Sequence, residues 1–217
     1  MRISELSERS GIAVATIKYY LREGLLPAGE RTGPNQASYG EEHLRRLRLI
    51  RALIEVGGLP VATVGDVLAA VDTPDLSMFS LLGVVQHSMT TPVPAAPDDE
   101  WERASATVHA ELARRGWNPK PSRPAIDTLT AVLVRLAQLG YRDWGTTALP
   151  SYFDGARVIA ATDVEAALTA GSREEIVDAV VVLTVLGDTA LSAIRRMAQA
   201  QITLEGLEAD NTTRTDN

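Results

Sequence analysis

Ala15, Lys18, Tyr19 and Arg22 recur at i, i+3, i+4 and i+7, so on an α-helix they share one face. That face has a small residue at its start, then two cations and a phenol. The chemistry it suits is nucleic-acid binding. A small residue near a helix start can approach base edges in a major groove, while Lys, Arg and a Tyr hydroxyl reach phosphates. Val14, Ile17 and Leu21 recur at i, i+3 and i+7 on the other side, as the buried face of the same helix requires. An ordinary helical hairpin with solvated charges has the same periodicity, so the surrounding elements must decide.

Those elements begin with residues 3–26, which read as two short helices and a tight turn. Ile3 and Leu6 lie on one face of a first helix that Gly11 ends, Ile12 packs into the turn, and Gly24 stops the second helix, residues 13–23. Residues 27–40 are rich in Pro, Gly and Asn and lack periodicity, as a short two-stranded wing or a plain linker would. A third helix over 41–55 buries Leu44, Leu47, Ile50 and Ile54 and carries the i,i+4 pairs Glu41/Arg45 and Glu42/Arg46. Gly57 and Gly58 end it. Pro60 opens a fourth helix through Val64, Val67, Leu68 and Val71, and Asp72-Thr73-Pro74 marks a boundary.

The run Thr16-Ile17-Lys18-Tyr19-Tyr20, followed by Gly24-Leu25-Leu26, a Gly/Pro-rich wing closing on Tyr39 and a basic helix over 42–54, resembles the MerR family of transcriptional regulators. The resemblance covers about the first 71 residues and implies a winged helix-turn-helix. It implies DNA contacts from Val14, Ala15, Thr16, Lys18, Tyr19 and Arg22, and from Arg31 and Tyr39 of the wing. The family usually has an arginine two residues before the closing tyrosine. Here Ala37 stands there, which passes the wing's phosphate contact to Arg31 or Tyr39. The resemblance further implies a homodimer on two-fold promoter DNA, with no cofactor. The dimer would bend and untwist that DNA so that RNA polymerase is served indirectly. The family's dimer helix is long and pairs antiparallel with its copy; the amphipathic segment at 76–89, with Phe79, Leu82, Val85 and Met89 on one stripe, is shorter.

Composition narrows the rest. The 217 residues include no cysteine, which excludes disulfides, zinc-thiolate sites and thiol sensing. His43, His87 and His109 have no ligand spacing, so no metal is expected. A polar N-terminus and the lack of an apolar run approaching a membrane span point to a cytoplasmic protein without membrane contact. Net charge is -7. Residues 1–71 carry nine Lys+Arg against eight Asp+Glu, and the remainder twelve against twenty, so the acidity belongs to the second part. The first part can still bind DNA, in a salt-dependent way, if its cations are grouped, and Lys18, Arg22, Arg31, Arg45, Arg46, Arg48 and Arg51 supply the group.

The expected architecture is mainly α: residues 1–71 a winged helix-turn-helix, 72–97 a dimerisation helix and Pro-rich linker, 98–207 an all-helical bundle, and 208–217 a disordered tail. Helices are expected over 98–115, 125–139 and 149–170. A last one, opened by the capping box Ser172-Arg173-Glu174-Glu175, breaks at Gly187-Asp188 and runs to about 206. Its apolar run 179–186 reads as a core helix buried on nearly every side, or as a subunit interface. Without cysteine, an organic effector is expected rather than a metal. Trp101, Trp117, Tyr141, Trp144, Tyr152 and Phe153 are candidates to line its pocket, although aromatics at helical spacing are often core. The alternative is a ligand-independent repressor or architectural protein whose second domain makes only subunit or protein contacts. No Ser/His/Asp grouping or phosphate loop supports an enzyme. On this division, a fragment ending at Thr90 folds alone and is mostly monomeric.

Overall fold

The computed structural model describes residues 1–33, 36–73, 76–90 and 98–215, the stretch 207–215 by its backbone alone. Helices α1 (Ile3–Ser10) and α2 (Val14–Arg22) form the expected hairpin. Gly11 adopts φ 71° and closes α1 through its N–H, which donates to the Ser7 carbonyl. At the end of α2, Gly24 has φ 74°, the Leu25 N–H donates to the Tyr20 carbonyl at 2.9 Å, and the Gly24 N–H to that of Leu21 at 3.4 Å. This paired closure turns Leu25 and Leu26 back into the core. Ile17 and Tyr20 are the buried residues of α2, while Val14 and Leu21 are half-buried. The core side is therefore rotated slightly from the expected stripe, towards the residue that the closing turn covers.

The wing is a two-stranded antiparallel sheet of β1 (Glu30–Gly33) and β2 (Gln36–Ser38), in register Glu30 with Ser38 and Arg31 with Ala37. Pro34 and Asn35, which the sequence places in its turn, lie outside the described residues. The Tyr39 N–H donates to the Met1 carbonyl at 2.9 Å and so ties the wing's end to the chain's start. A side chain at Gly29 would meet the Ser38 carbonyl at 2.6 Å and the Tyr39 ring at 2.9 Å, so only glycine fits where β1 begins.

Helix α3 (Glu41–Arg51) runs into a π-helical turn at Ala52–Val56. The Gly57 N–H donates back to the Ala52 carbonyl at 3.0 Å. The wider turn inserts a residue into the 3.6 repeat. Leu53 is consequently fully buried, and Ile54, expected in the core, is only half-buried. The two anticipated pairs along α3 do not form. Glu41 pairs with Arg9, Arg45 with Asp178 and Glu174, and Arg46 with Asp72. Long-range partners of opposite sign outcompete the local ones.

Helix α4 (Val61–Val71) buries Val64, Val67 and Leu68, and α5 (Met78–Met89) buries Leu81 and Val85. The stripe expected on α5 is turned: Val85 is buried, Leu82 and Met89 are half-buried, and Phe79 is 68% exposed. Leu81 and Val85 are taken up by α4 and by the last helix of the same chain, α10 (Arg173–Thr215). Residues 91–97, the expected stiff linker, lie outside the described residues.

Helices α6 (Asp99–Arg114), α7 (Arg123–Gln138), α8 (Trp144–Thr147) and the start of α9 (Leu149–Leu168) enclose a second core of Ala104, Val108, Leu112, Ile126, Leu133, Leu149 and Phe153. Asp98 caps α6 by accepting the Trp101 N–H at 2.8 Å. Helix α10 (Arg173–Thr215) is continuous, with no break at Gly187-Asp188 and with helical backbone past residue 207, where a disordered tail was expected. Its capping box is present: Ser172 Oγ accepts the Glu175 N–H at 3.3 Å, and a Glu175 carboxylate oxygen accepts the Ser172 N–H at 2.8 Å.

The first half of α10 does not belong to a separate bundle. Val181 and Val185 are buried in the same core as Leu6, Ile17 and Leu53. The run 179–186 is thus covered on one side, not nearly all round. Contrary to the expectation from sequence, a span-length apolar stretch is present. Arg173–Gly206 contains an 18-residue stretch of mean hydropathy 1.8, enough by length and composition to cross a membrane. Its apolar residues serve the first core over one half and stand exposed over the other.

Candidate nucleic-acid interface

With Ile17 and Tyr20 fixed in the core, helical geometry sends Ala15, Lys18 and Arg22 outward, and all three are exposed. Tyr19 is half-buried, 5.9 Å from the Tyr20 ring. The Arg22 guanidinium lies 5.2 Å from the centre of the Tyr19 ring and 3.2 Å from the Glu23 carboxylate. That pair is exposed and weak, so Arg22 remains able to exchange Glu23 for a phosphate. Val14 and Thr16 are half-buried at the helix start.

Arg31 is exposed on β1. Tyr39 is only 7% exposed and packs edge-on against His43, ring centres 5.2 Å apart. Its ring serves the core, so of the two wing contacts named from sequence Arg31 is the accessible one. His43 is a capping residue: its Nδ1 accepts the Gly40 N–H at 3.0 Å.

The cationic group divides. Arg45 reaches Asp178 at 3.3 Å and Glu174 at 3.6 Å, Arg46 is paired with Asp72, and Arg51 reaches Glu55 at 2.7 Å. Burial pushes the Asp178 carboxyl above its ordinary range, with Arg45 and Arg46 opposing that shift. Among the described residues, Lys18, Arg31 and Arg48 form no ion pair. Lys18, Arg22 and Arg31 are left for an external anion, while Arg45 and Arg46 hold α10 and the α4 end to α3. Sequence reasoning missed this second role because the partners of Arg45 are more than a hundred residues away and that of Arg46 lies at the end of another helix, 26 residues on. It also missed Arg9, whose two nitrogens grip Glu41 at 2.5 and 3.0 Å and, by that hydrogen bond, hold the Glu41 carboxyl below its ordinary range.

The six aromatic candidates for an effector pocket are not gathered round one cavity. Trp117 meets Phe153 at 5.5 Å and Trp144 meets Tyr152 at 5.0 Å between ring centres, both edge-on. Tyr141 is exposed, and Trp101 is half-buried on α6. Arg115 stacks on Phe153, and Arg195 donates to the Tyr152 hydroxyl at 2.7 Å. These contacts clamp α9 to its neighbours. A groove of about 400 Å³ between α5, α9 and α10 is lined by none of the six.

Comparison with known proteins agrees with this geometry. Residues 1–71 match the family model described as MerR HTH family regulatory protein. The nodulation protein NolA of Bradyrhizobium elkanii is 45% identical over 56 residues, 26% of each chain. The HTH-type transcriptional regulator ZntR homolog of Haemophilus influenzae is 46% identical over 50 residues, 23% of this chain and 37% of that one. The mercuric resistance operon regulatory protein of Bacillus cereus is 39% identical over 56 residues, 26% of this chain and 42% of its own. The matched region thus spans well under half of these curated relatives. A crystal structure from Streptomyces coelicolor A3(2), of SCO5550, a protein assigned as a transcriptional regulator, is similar over almost the whole molecule. It is 36% identical, with a TM-score of 0.72, over 94% of this chain and 97% of that one. Residues 1–71, the winged helix-turn-helix, thus belong to the MerR family of helix-turn-helix regulators.

Proposed function

We propose that the protein is a dimeric, cytoplasmic transcriptional regulator. It places one α2 in the major groove of each half of a two-fold promoter site and bends and untwists the DNA between them, acting on RNA polymerase through that deformation. Ala15 and Thr16 face the bases, Lys18, Tyr19 and Arg22 the phosphates, and Arg31 the backbone beside the groove. The observation that carries this reading is the outward face of Ala15, Lys18 and Arg22 on a helix whose other face is locked by Ile17 and Tyr20. A footprint at a site found by genome-wide binding tests it. Two protected half-sites about one helical turn apart, or a multiple of that, are expected. Shortening the promoter spacer by about one or two base pairs should make transcription largely independent of the protein, and undiminished dependence would exclude the untwisting step.

The second half of α10 is the element best suited to join the subunits. Ala190, Ile194, Met197, Gln201 and Leu204 recur at alternating spacings of four and three, the repeat of a coiled-coil seam. Ile194, Met197 and Leu204 are 57%, 64% and 55% exposed in the single chain. Helix α5 is less suited, because Leu81 and Val85 are already buried against α4 and α10. The helical region from α6 onward receives the input, an organic effector.

A further inference from the structure

Helices α5, α9 and α10 enclose a groove of about 400 Å³, within the range that suits a small organic ligand. Phe79 and Leu82 of α5, Ile159 of α9 and Leu183 of α10 give it apolar walls. Phe79 is 68% exposed there, and leaving so large an aromatic side chain open forgoes about 1.5–3 kcal/mol of burial. Two carboxylates face the same space from different helices, Asp163 of α9 and Asp188 of α10. Asp163 reaches across to α10, its Oδ2 lying 3.5 Å from where a side chain at Gly187 would begin. Among the described residues no cation pairs with either acid. Partial desolvation, with the charge of Asp163 added, holds the Asp188 carboxyl above its ordinary value. A cation between them would relieve that strain.

We infer that this groove binds an organic cation with an apolar, ring-bearing body, its ammonium or amidinium group set against Asp163 and Asp188 and its ring against Phe79. The inference rests on the reading of the helical region as the input. The same helices bear on the DNA-binding part: Val185 of α10 sits against Gly57, and Thr189 Oγ1 donates to the Val56 carbonyl at 3.5 Å. Occupancy of the groove therefore acts on the π-helical turn at the end of α3.

Three dansyl probes of common fluorophore and different charge test the assignment on the full chain: cationic dansylcadaverine, neutral dansylamide and anionic dansylglycine. Fluorescence titration should show dansylcadaverine binding roughly tenfold or more tighter than the other two. The double variant Asp163→Asn, Asp188→Asn should abolish that preference while leaving dansylamide affinity within about twofold. Ala156→Trp, on an exposed lining position of α9, should fill the groove and weaken all three probes. Equal affinity for the three probes, a cation preference that survives the double variant, or a dansylcadaverine affinity unchanged by Ala156→Trp overturns the inference. So does a cation signal lost in step with dimer formation as protein concentration rises, which would give the groove to a second copy of the chain. Operator binding, measured on the same preparation without probe, reads the proposed function separately. A protein that binds its operator yet shows no cation preference refutes the ligand assignment alone.

Discussion

At the scale of single residues, function and packing divide within one turn of helix. Lys18 projects from the helix whose next buried residue is Tyr20, and the Tyr20 hydroxyl is held above its ordinary pKa by burial. If the start of α2 faces the bases as proposed, changing Ala15 or Thr16 should shift base preference in a selection from random sequences. Gly29→Ala should cost roughly 1–3 kcal/mol, since its methyl group would press on the Ser38 carbonyl and the Tyr39 ring; a denaturant titration reads the loss. Asp188 gives a pH signature. Its folded-state pKa is raised above the ordinary 3.8, so as pH rises the unfolded chain releases the proton first and ionisation opposes folding. Asp188→Asn should therefore raise Tm at pH 7, and the gain should vanish below about pH 4, where both states keep the proton. A melting series across that window that shows no gain at neutral pH contradicts the assignment of strain to Asp188.

At the scale of elements, the seam between α3 and α10 does what no local pattern announces. Val185 packs over Gly57, where any side chain would meet the Leu53 carbonyl at 2.7 Å. Val185→Ala should cost about 2 kcal/mol, and Val182→Ala, which is half-buried, distinctly less; thermal melts of the two variants compare them. The wing was legible only through the family resemblance, whereas the hairpin of α1 and α2, the helix ends at Gly11 and Gly24, the capping box at Ser172 and the outward face of α2 were legible in the residues themselves. Each is written in a short window of turn chemistry or 3.6 periodicity. The π-helical turn was not, since its wider hydrogen bonding is set by what packs on it and moves Leu53 inward in place of Ile54. Nor could spacing reveal that Arg45 turns to Asp178, or that an apolar run beginning at residue 179 completes a core begun at Leu6. Such pairings depend on tertiary placement. The aromatic residues were conspicuous by type, yet Trp117 with Phe153 and Trp144 with Tyr152 pack against each other away from the groove, whose acids Asp163 and Asp188 look like ordinary surface residues.

At the scale of the whole molecule, α10 joins three places: the core of the winged helix-turn-helix, the groove with α5 and α9, and an exposed apolar seam. A fragment ending at Thr90 therefore lacks Val181 and Val185 from its own core, and the expectation from sequence that it folds as a sound monomer changes. It should melt without cooperativity or well below the full chain by circular dichroism; a cooperative melt at the full-chain temperature would detach α10 from that core. Ile194→Glu with Met197→Glu should leave the fold intact and give monomers in sedimentation, because two like charges in a coiled-coil seam oppose pairing. The central claim is that the face of α2, and not the arginines of α3, meets DNA. Operator affinity measured across a range of salt concentrations, for the unaltered protein, Lys18→Ala and Arg45→Ala, tests it most directly. The slope of log affinity against log salt should fall in magnitude by about one for Lys18→Ala and stay unchanged for Arg45→Ala. An unchanged slope for Lys18→Ala with a reduced one for Arg45→Ala would contradict the claim.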